Sequence, residues 1–164
     1  MTTSLVRTRH ATPDDVDGVV ALHTRCSEET LRRRFHVPVT QITERLAEQL
    51  VAPRHGWSLV AEHCGEVVGL ACAGPVSPTV LEVGLLVEDR YQSTGIGSRM
   101  LRDLSRDAHA RGYQSLLCLA EPDNESVLPT VRRAGLEGAP AVVDGLLEVV
   151  VPLPARRRGL RRPA

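Results

Sequence analysis

Two features in the middle of the chain could do chemistry. One is a lone carboxylate, Glu82, inside an otherwise apolar run; the other is a glycine-punctuated turn, Gln92-Ser93-Thr94-Gly95-Ile96-Gly97-Ser98. The turn follows the apolar residues Leu85-Leu86-Val87 and opens a helical pattern. Its successive N–H groups, with the unpaired N–H groups of the helix's first turn, therefore converge on one point and favour an anion there, above all a phosphate. Gly95 and Gly97 leave room for that phosphate to approach the main chain. Two common phosphate sites are excluded. A P-loop needs a lysine after its last glycine, and the chain contains no lysine. A dinucleotide-binding turn needs a third glycine three places after Gly97, where Met100 stands. Glu82 offers proton transfer. A carboxylate inside a strand is costly to bury unless it is paired or working, and burial would raise its pKa toward that of a useful base.

The elements that must position these groups alternate between strand and helix. Leu5 to His10 reads as a strand, followed by Thr12-Pro13-Asp14-Asp15, a helix start with proline at the first helical position and acids in the first turn. The helix beyond it buries Val16, Val19, Val20 and His23, and a second helical region covers 28–35 and 41–50, broken by Pro38, with Ile42, Leu46 and Leu50 on one face. Strands at 58–63 and 67–73 flank the tight hairpin Cys64-Gly65-Glu66, and 79–87 is a long strand leading to the turn. In that strand the period of two puts Leu81, Val83, Leu85 and Val87 on one face and Glu82, Gly84 and Leu86 on the other. Gly84 marks a bulge, a close backbone approach or plain packing. A helix of about 15 residues follows, burying Met100, Leu101, Leu104 and Ala108 and ending at Gly112. The strand 114–119 then completes a strand-helix-strand unit, which implies parallel pairing. A helix ending at Gly135 and a hairpin around Asp144-Gly145 close the chain, with no internal repeat.

Composition bounds the rest. A length of 164 residues, 42% of them apolar, suits a single domain, residues 1–153. Formal charge is zero but unevenly laid out: Arg156, Arg157, Arg158, Arg161 and Arg162 crowd the end. Removing those five leaves 15 basic residues against 20 acidic, so the body is acidic. The stretch 154–164 reads as a disordered arginine-rich tail, solvated or holding nucleic acid or an acidic surface nonspecifically. The four cysteines form no C-x-x-C pair and the six histidines show no metal-ligand spacing, so no metal is expected. Four aromatic residues, Phe35, Trp57, Tyr91 and Tyr113, give no platform for specific nucleic-acid recognition. Without an 18-residue apolar stretch or a signal region, no membrane partner is expected and a cytoplasmic location is. A homodimer is one allowed assembly.

The pattern Gln92-x-x-Gly95-x-Gly97 resembles the Gln/Arg-x-x-Gly-x-Gly/Ala motif of the GNAT superfamily of N-acetyltransferases, and the order of elements resembles the GNAT fold from about Leu5 to Val151. The resemblance implies a mixed α/β fold in which two splayed parallel central strands, here 79–87 and 114–119, are flanked by helices and hold acetyl-CoA between them. It implies that the turn 92–98 binds the pyrophosphate, that backbone groups near Leu86 and Val87 bind the pantetheine arm, and that Asn124 lies beside that arm; Asn124 reads equally as a helix N-cap. A finer likeness joins Ser27-Glu28-Glu29-Thr30-Leu31-Arg32-Arg33-Arg34-Phe35, with Glu82, to the GNAT domains of bacterial protein-lysine acetyltransferases; Arg32 and Arg33 read equally as water-facing residues of an amphipathic helix.

The implied reaction moves an acetyl group from acetyl-CoA directly to an amine, either a protein lysine or a small molecule. A lysine-like amine has a pKa of about 10.4, so about one molecule in 2,500 is neutral at pH 7, a cost of about 4.6 kcal/mol before attack. Glu82 is the expected base that offsets it, against the reading of an ordinary solvent-facing or salt-bridged glutamate. The departing thiolate needs a proton. Where many GNAT enzymes carry a tyrosine, seven residues after the asparagine, this chain has Val131; Ser126 is the candidate donor, or merely a helix cap, and Pro129 requires that helix to start near Ser126. The missing tyrosine also motivates a noncatalytic acyl-CoA sensor as the alternative, and the tail a nucleic-acid-associated module.

Overall fold

The strands set the architecture, because each apolar run on the sequence finds a partner on both sides except at the edges. The computed structural model describes residues 6–154. The elements are β1 (Arg7–His10), α1 (Val16–Arg25), α2 (Glu28–Phe35), α3 (Glu44–Val51), β2 (Trp57–His63), β3 (Glu66–Pro75), β4 (Val80–Val87), α4 (Ile96–Arg111), β5 (Ser115–Ala120), α5 (Val127–Arg133), β6 (Ala139–Val143) and β7 (Leu146–Pro152). Residue 5 of the expected first strand and the arginine cluster lie outside the described residues.

One seven-stranded sheet runs in the order β1-β2-β3-β4-β5-β7-β6. Every pairing is antiparallel except β4 with β5, whose connection through α4 makes them parallel. The last hairpin turns at Asp144 (φ 49°) and Gly145 (φ 82°), the left-handed pair a two-residue hairpin demands, and β7 rather than β6 docks on β5. A hairpin's register says which strands pair with each other but not which of them meets the sheet.

The period-two split of β4 is realised. Leu81 and Val83 join the core under α4 with Met100, Leu101, Leu104, Leu116, Val149 and Val151. Leu86 joins the opposite core with Val19, Leu22, Leu31, Ala47, Val60 and Leu70, under α1, α2 and α3. Two expectations shift. In α1 the buried residues are Val19, Leu22 and His23, while Val16 and Val20 are half-buried. In α3 the buried residues are Ala47 and Val51, with Ile42, Leu46 and Leu50 half-buried at its margin, because the helix begins only at Glu44, capped by the Thr43 hydroxyl accepting from the Leu46 amide. Gly112 ends α4 in the left-handed conformation (φ 93°), as expected. Among the described residues no helix is long and apolar enough to cross a membrane.

Candidate active site

The site begins where the sheet stops being a sheet. β4 and β5 pair only from Val80 with Ser115 to Val83 with Cys118; beyond that β4 continues to Val87 and β5 to Ala120 with no ladder between them. A cleft of about 740 Å³ opens there, lined from β4 by Glu82 to Val87, from β5 by Cys118 to Ala120, and from the loop and helix beyond by Asn124, Ser126 and Thr130. Alternation along β4 decides which main-chain groups face it. The Glu88 amide donates to Val68 on β3 and the Gln114 amide donates to the Thr79 carbonyl, so even-numbered residues turn their main chain to β3 and odd-numbered ones to the β5 side. Leu86 therefore spends its main chain on β3, although it was expected, with Val87, among the main-chain groups facing the pantetheine arm. The open groups belong to Leu85 and Val87. The Val87 carbonyl already accepts a hydrogen bond from Gln92 Nε2 at 3.1 Å.

The turn after β4 has the form expected of an anion cradle. Ser93 (φ 62°) and Gly95 (φ 91°) take left-handed conformations, which swing successive N–H groups to one side, and α4 starts directly after Gly95. None of the amides from Ser93 to Ser98 donates to an acceptor among the described residues. A Cβ on Gly95 would meet nothing within 4 Å, and one on Gly97 would meet only the Thr130 and Val87 methyls, both at 3.8 Å, so both glycines leave space that a side chain would fill. Thr94 and Ile96 contribute main chain alone: the Thr94 hydroxyl donates to the Tyr91 carbonyl at 2.5 Å, and the Ile96 side chain is buried in the core. The Ser98 side chain is buried beside the cleft.

A polar clasp fastens α2 to this turn. Asp89 accepts from the Ser27 hydroxyl (2.6 Å), the Ser27 amide (2.9 Å) and the Thr30 hydroxyl (3.0 Å), and Gln92 Nε2 donates to the same Thr30 oxygen at 3.1 Å. Burial pushes the Asp89 carboxyl up, but the donors from Ser27 and Thr30 outweigh it and hold it below the usual carboxylate range. At the far side of the cleft Arg32 of α2 forms an ion pair with Glu121 just past β5, so α2 is anchored to both splayed strands. Sequence reasoning had no access to Asp89, Thr30 or Glu121, because each acts across 59 to 89 residues of chain.

The side chains expected to do chemistry are brought to one cleft, with one expectation corrected at Glu82 and open alternatives narrowed at Gly84 and Asn124. Glu82 lines it but is exposed, so burial does not strip water from its carboxylate as expected. It makes no ion pair among the described residues; its charge is felt by Cys118 on β5, whose thiol is pushed up to about 11 by burial first and by Glu82 second. Gly84 carries no bulge, since β3 and β4 stay in continuous register from Gly69 with Val87 to Pro75 with Leu81. Its missing side chain instead admits the Arg34 guanidinium, whose atoms would lie 2.7–2.9 Å from a Cβ there. The irregularity in register lies instead between β2 and β3, where Ala61 faces Gly69 and Glu62 faces Val67, leaving Val68 of β3 as the extra residue. Asn124 is engaged locally: its Oδ1 accepts from the Ser126 amide (3.2 Å) and from the Ser126 hydroxyl (2.6 Å). It caps the turn into α5, while its amide nitrogen has no partner among the described residues. Ser126 stands at the N-cap, as Pro129 requires, but its hydroxyl bonds Asn124 rather than capping the helix. Val131 is 1% exposed, packed in the core below the cleft.

Comparison with known proteins gives a consistent picture. Residues 19–136 match the family model described as the acetyltransferase (GNAT) family. The GNAT domain of S. lividans PAT superposes with a TM-score of 0.81 at 22% identity, covering 90% of this chain and 90% of that one. The ribosomal-protein-alanine N-acetyltransferase from Brucella melitensis gives 0.69 at 23% identity over 89% of this chain and 98% of that one. The yncA protein from Salmonella typhimurium, solved with its cofactor acetyl-CoA, gives 0.72 at 18% identity over 97% and 99%.

Proposed function

Because the chain belongs to the acetyltransferase (GNAT) family, and so to the acyl-CoA-dependent N-acetyltransferases, we propose that its cleft binds acetyl-CoA and transfers the acetyl group directly to the amine of a separate acceptor. The observation that carries this reading is the row of unpartnered amides from Ser93 to Ser98 at the mouth of the gap between β4 and β5. Those amides and the positive end of the 16-residue helix α4 would hold the pyrophosphate. The open main chain of Leu85 and Val87 would hold the pantetheine arm as a neighbouring strand would, and the amide nitrogen of Asn124 would donate to it.

When bound, acetyl-CoA supplies a thioester: a C–N bond forms as the C–S bond breaks, the amine loses a proton and the thiolate gains one. Glu82 draws the incoming ammonium and takes its proton, directly or through water, which its exposure permits. We assign the returning proton to water relayed by Ser126, whose hydroxyl lines the cleft: it must release its hydrogen bond to Asn124 Oδ1 to donate to the thiolate, and it regains a proton from the water as it does so. The Cys118 thiol lines the cleft as well, but with its pKa pushed up to about 11 it stays protonated and is a poor nucleophile, which favours direct transfer over a covalent enzyme intermediate.

Calorimetry with acetyl-CoA tests the reading. Binding in the micromolar range that Gly95→Trp abolishes, followed by turnover with amines that Glu82→Gln suppresses, is the expected result. Binding with no turnover of any amine would favour the sensor, in line with Val131 at the place of the usual tyrosine. No binding by the folded protein would overturn both.

A further inference from the structure

The wall of the cleft carries a cation that no acid among the described residues neutralises. Arg34, the penultimate residue of α2, lays its guanidinium over the Cα of Gly84, with Cζ 2.7 Å and the two terminal nitrogens 2.8 and 2.9 Å from where a Cβ would be. It is half-buried and lines the cleft. Its neighbours on the helix are all paired: Arg32 with Glu29 and Glu121, Arg33 with Glu29. Arg34 has neither a hydrogen bond nor an ion pair among the described residues, and its one close partner is the Phe35 ring at 5.3 Å. A partly desolvated guanidinium without a carboxylate is an expensive arrangement unless a ligand completes it. Its charge reaches into the protein: the buried His23 is held below its usual pKa by desolvation first and by Arg34 as well, despite a hydrogen bond to the Val19 carbonyl.

Glu82 stands two residues from Gly84 on the same face of β4, likewise without an ion pair among the described residues. At roughly 3.3 Å of rise per residue, the two backbone positions are about 7 Å apart. One small stretch of strand thus presents an unpaired anion and an unpaired cation that leave each other free. A ligand carrying an ammonium and a carboxylate close together satisfies both.

We propose that Arg34 receives a carboxylate of the acceptor, so that the acceptor is a free α-amino acid or another small amine with a carboxylate near its nitrogen. The inference rests on the acetyl-transfer reading above and narrows it. Arginine suits the task because its planar fork meets a carboxylate with two parallel hydrogen bonds, and a site built for such a group discriminates sharply against the analogue that lacks it. Gly84 is then the residue that makes room for the fork beside the strand.

The test uses the full chain and follows thiol release from acetyl-CoA with the free α-amino acids and with their carboxamides, beside calorimetry of acetyl-CoA. At least one amino acid should show kcat/KM about tenfold or more above its carboxamide, with the difference in KM. Arg34→Gln should bring that ratio close to one, Gly84→Ala should do the same by displacing the guanidinium, and Arg34→Lys should restore part of it. If acetyl-CoA binds but amines react without regard to a carboxylate, or Arg34→Gln leaves the preference in place, this inference is overturned and the acetyl-transfer reading stands. A preference for malonyl-CoA or succinyl-CoA that Arg34→Gln abolishes also overturns it, by moving the carboxylate to the donor. Failure to bind acetyl-CoA overturns both.

Discussion

Replacing one oxygen of Glu82 with nitrogen leaves its shape and removes its charge and basicity. Glu82→Gln should therefore lower kcat/KM for an amine by about 10²- to 10⁴-fold, the usual worth of a positioned base. Acetyl-CoA binding should hold, since Glu82 sits well before the cradle on β4; loss of both in parallel would mean the carboxylate serves the fold instead. Glu82, Gly95 and Gly97 were legible because their signals are local: a charge that breaks an apolar alternation, and glycines where a strand turns into a helix. Arg34 and Asp89 were not. Nothing near Arg34 in the chain distinguishes it from Arg32 and Arg33, and only the packing of α2 on β4 shows that it alone lacks an acid. Glu82 itself was half legible. Its face was readable from the period of two, but its exposure depends on how α2 and its neighbours pack against β4, which no local pattern encodes.

At the level of elements, the junction of β4 with α4 makes opposing demands on stability and binding. Gly97 lies in the first turn of α4 with ordinary room for a methyl, so Gly97→Ala should stabilise the folded protein by about 0.5–1 kcal/mol through helix propensity. The same methyl enters the cradle, and acetyl-CoA affinity should fall about tenfold or more. A raised melting temperature beside weakened binding is the expected pair of results; unimpaired binding would remove Gly97 from the site. Gly95→Ala should behave differently, since its φ of 91° penalises any side chain by about 1 kcal/mol or more and the protein should lose stability as well. The strands, α4 and the parallel β4/β5 unit were readable from periodicity and caps. The place of β7 beside β5, and the exact point where β4 and β5 part, were not, because pairing partners and the end of a ladder are set by packing over long separations.

For the molecule as a whole, two buried groups contribute to how stability responds to acid. His23 is 1% exposed with its pKa lowered, so above about pH 6.5 its contribution is intact; as pH falls below that value the unfolded chain takes up a proton the folded chain refuses, and stability drops. Asp15 has its carboxyl lowered, chiefly by the Arg9 hydrogen bonds at 2.7 and 2.8 Å and against burial. Its contribution is present above about pH 3.9 and lost as pH falls further. Urea unfolding followed against pH should show both declines, and Asp15→Asn should shrink the lower one, to which Asp89 also contributes, while costing about 2 kcal/mol at pH 7 by leaving Arg9 with Glu62 alone. A profile unchanged by that substitution would exclude the pair. The early end of the β4/β5 ladder has a consequence of another kind. An unfinished seam in the middle of a sheet leaves interior main chain as open to solvent exchange as an edge, so the Leu85 and Val87 amides should trade hydrogen for deuterium quickly in the free protein and slowly once acetyl-CoA closes the gap. The ligand would then act as the sheet's missing rung, and the supply of acetyl-CoA would register in how firmly the two halves of the protein are stitched together.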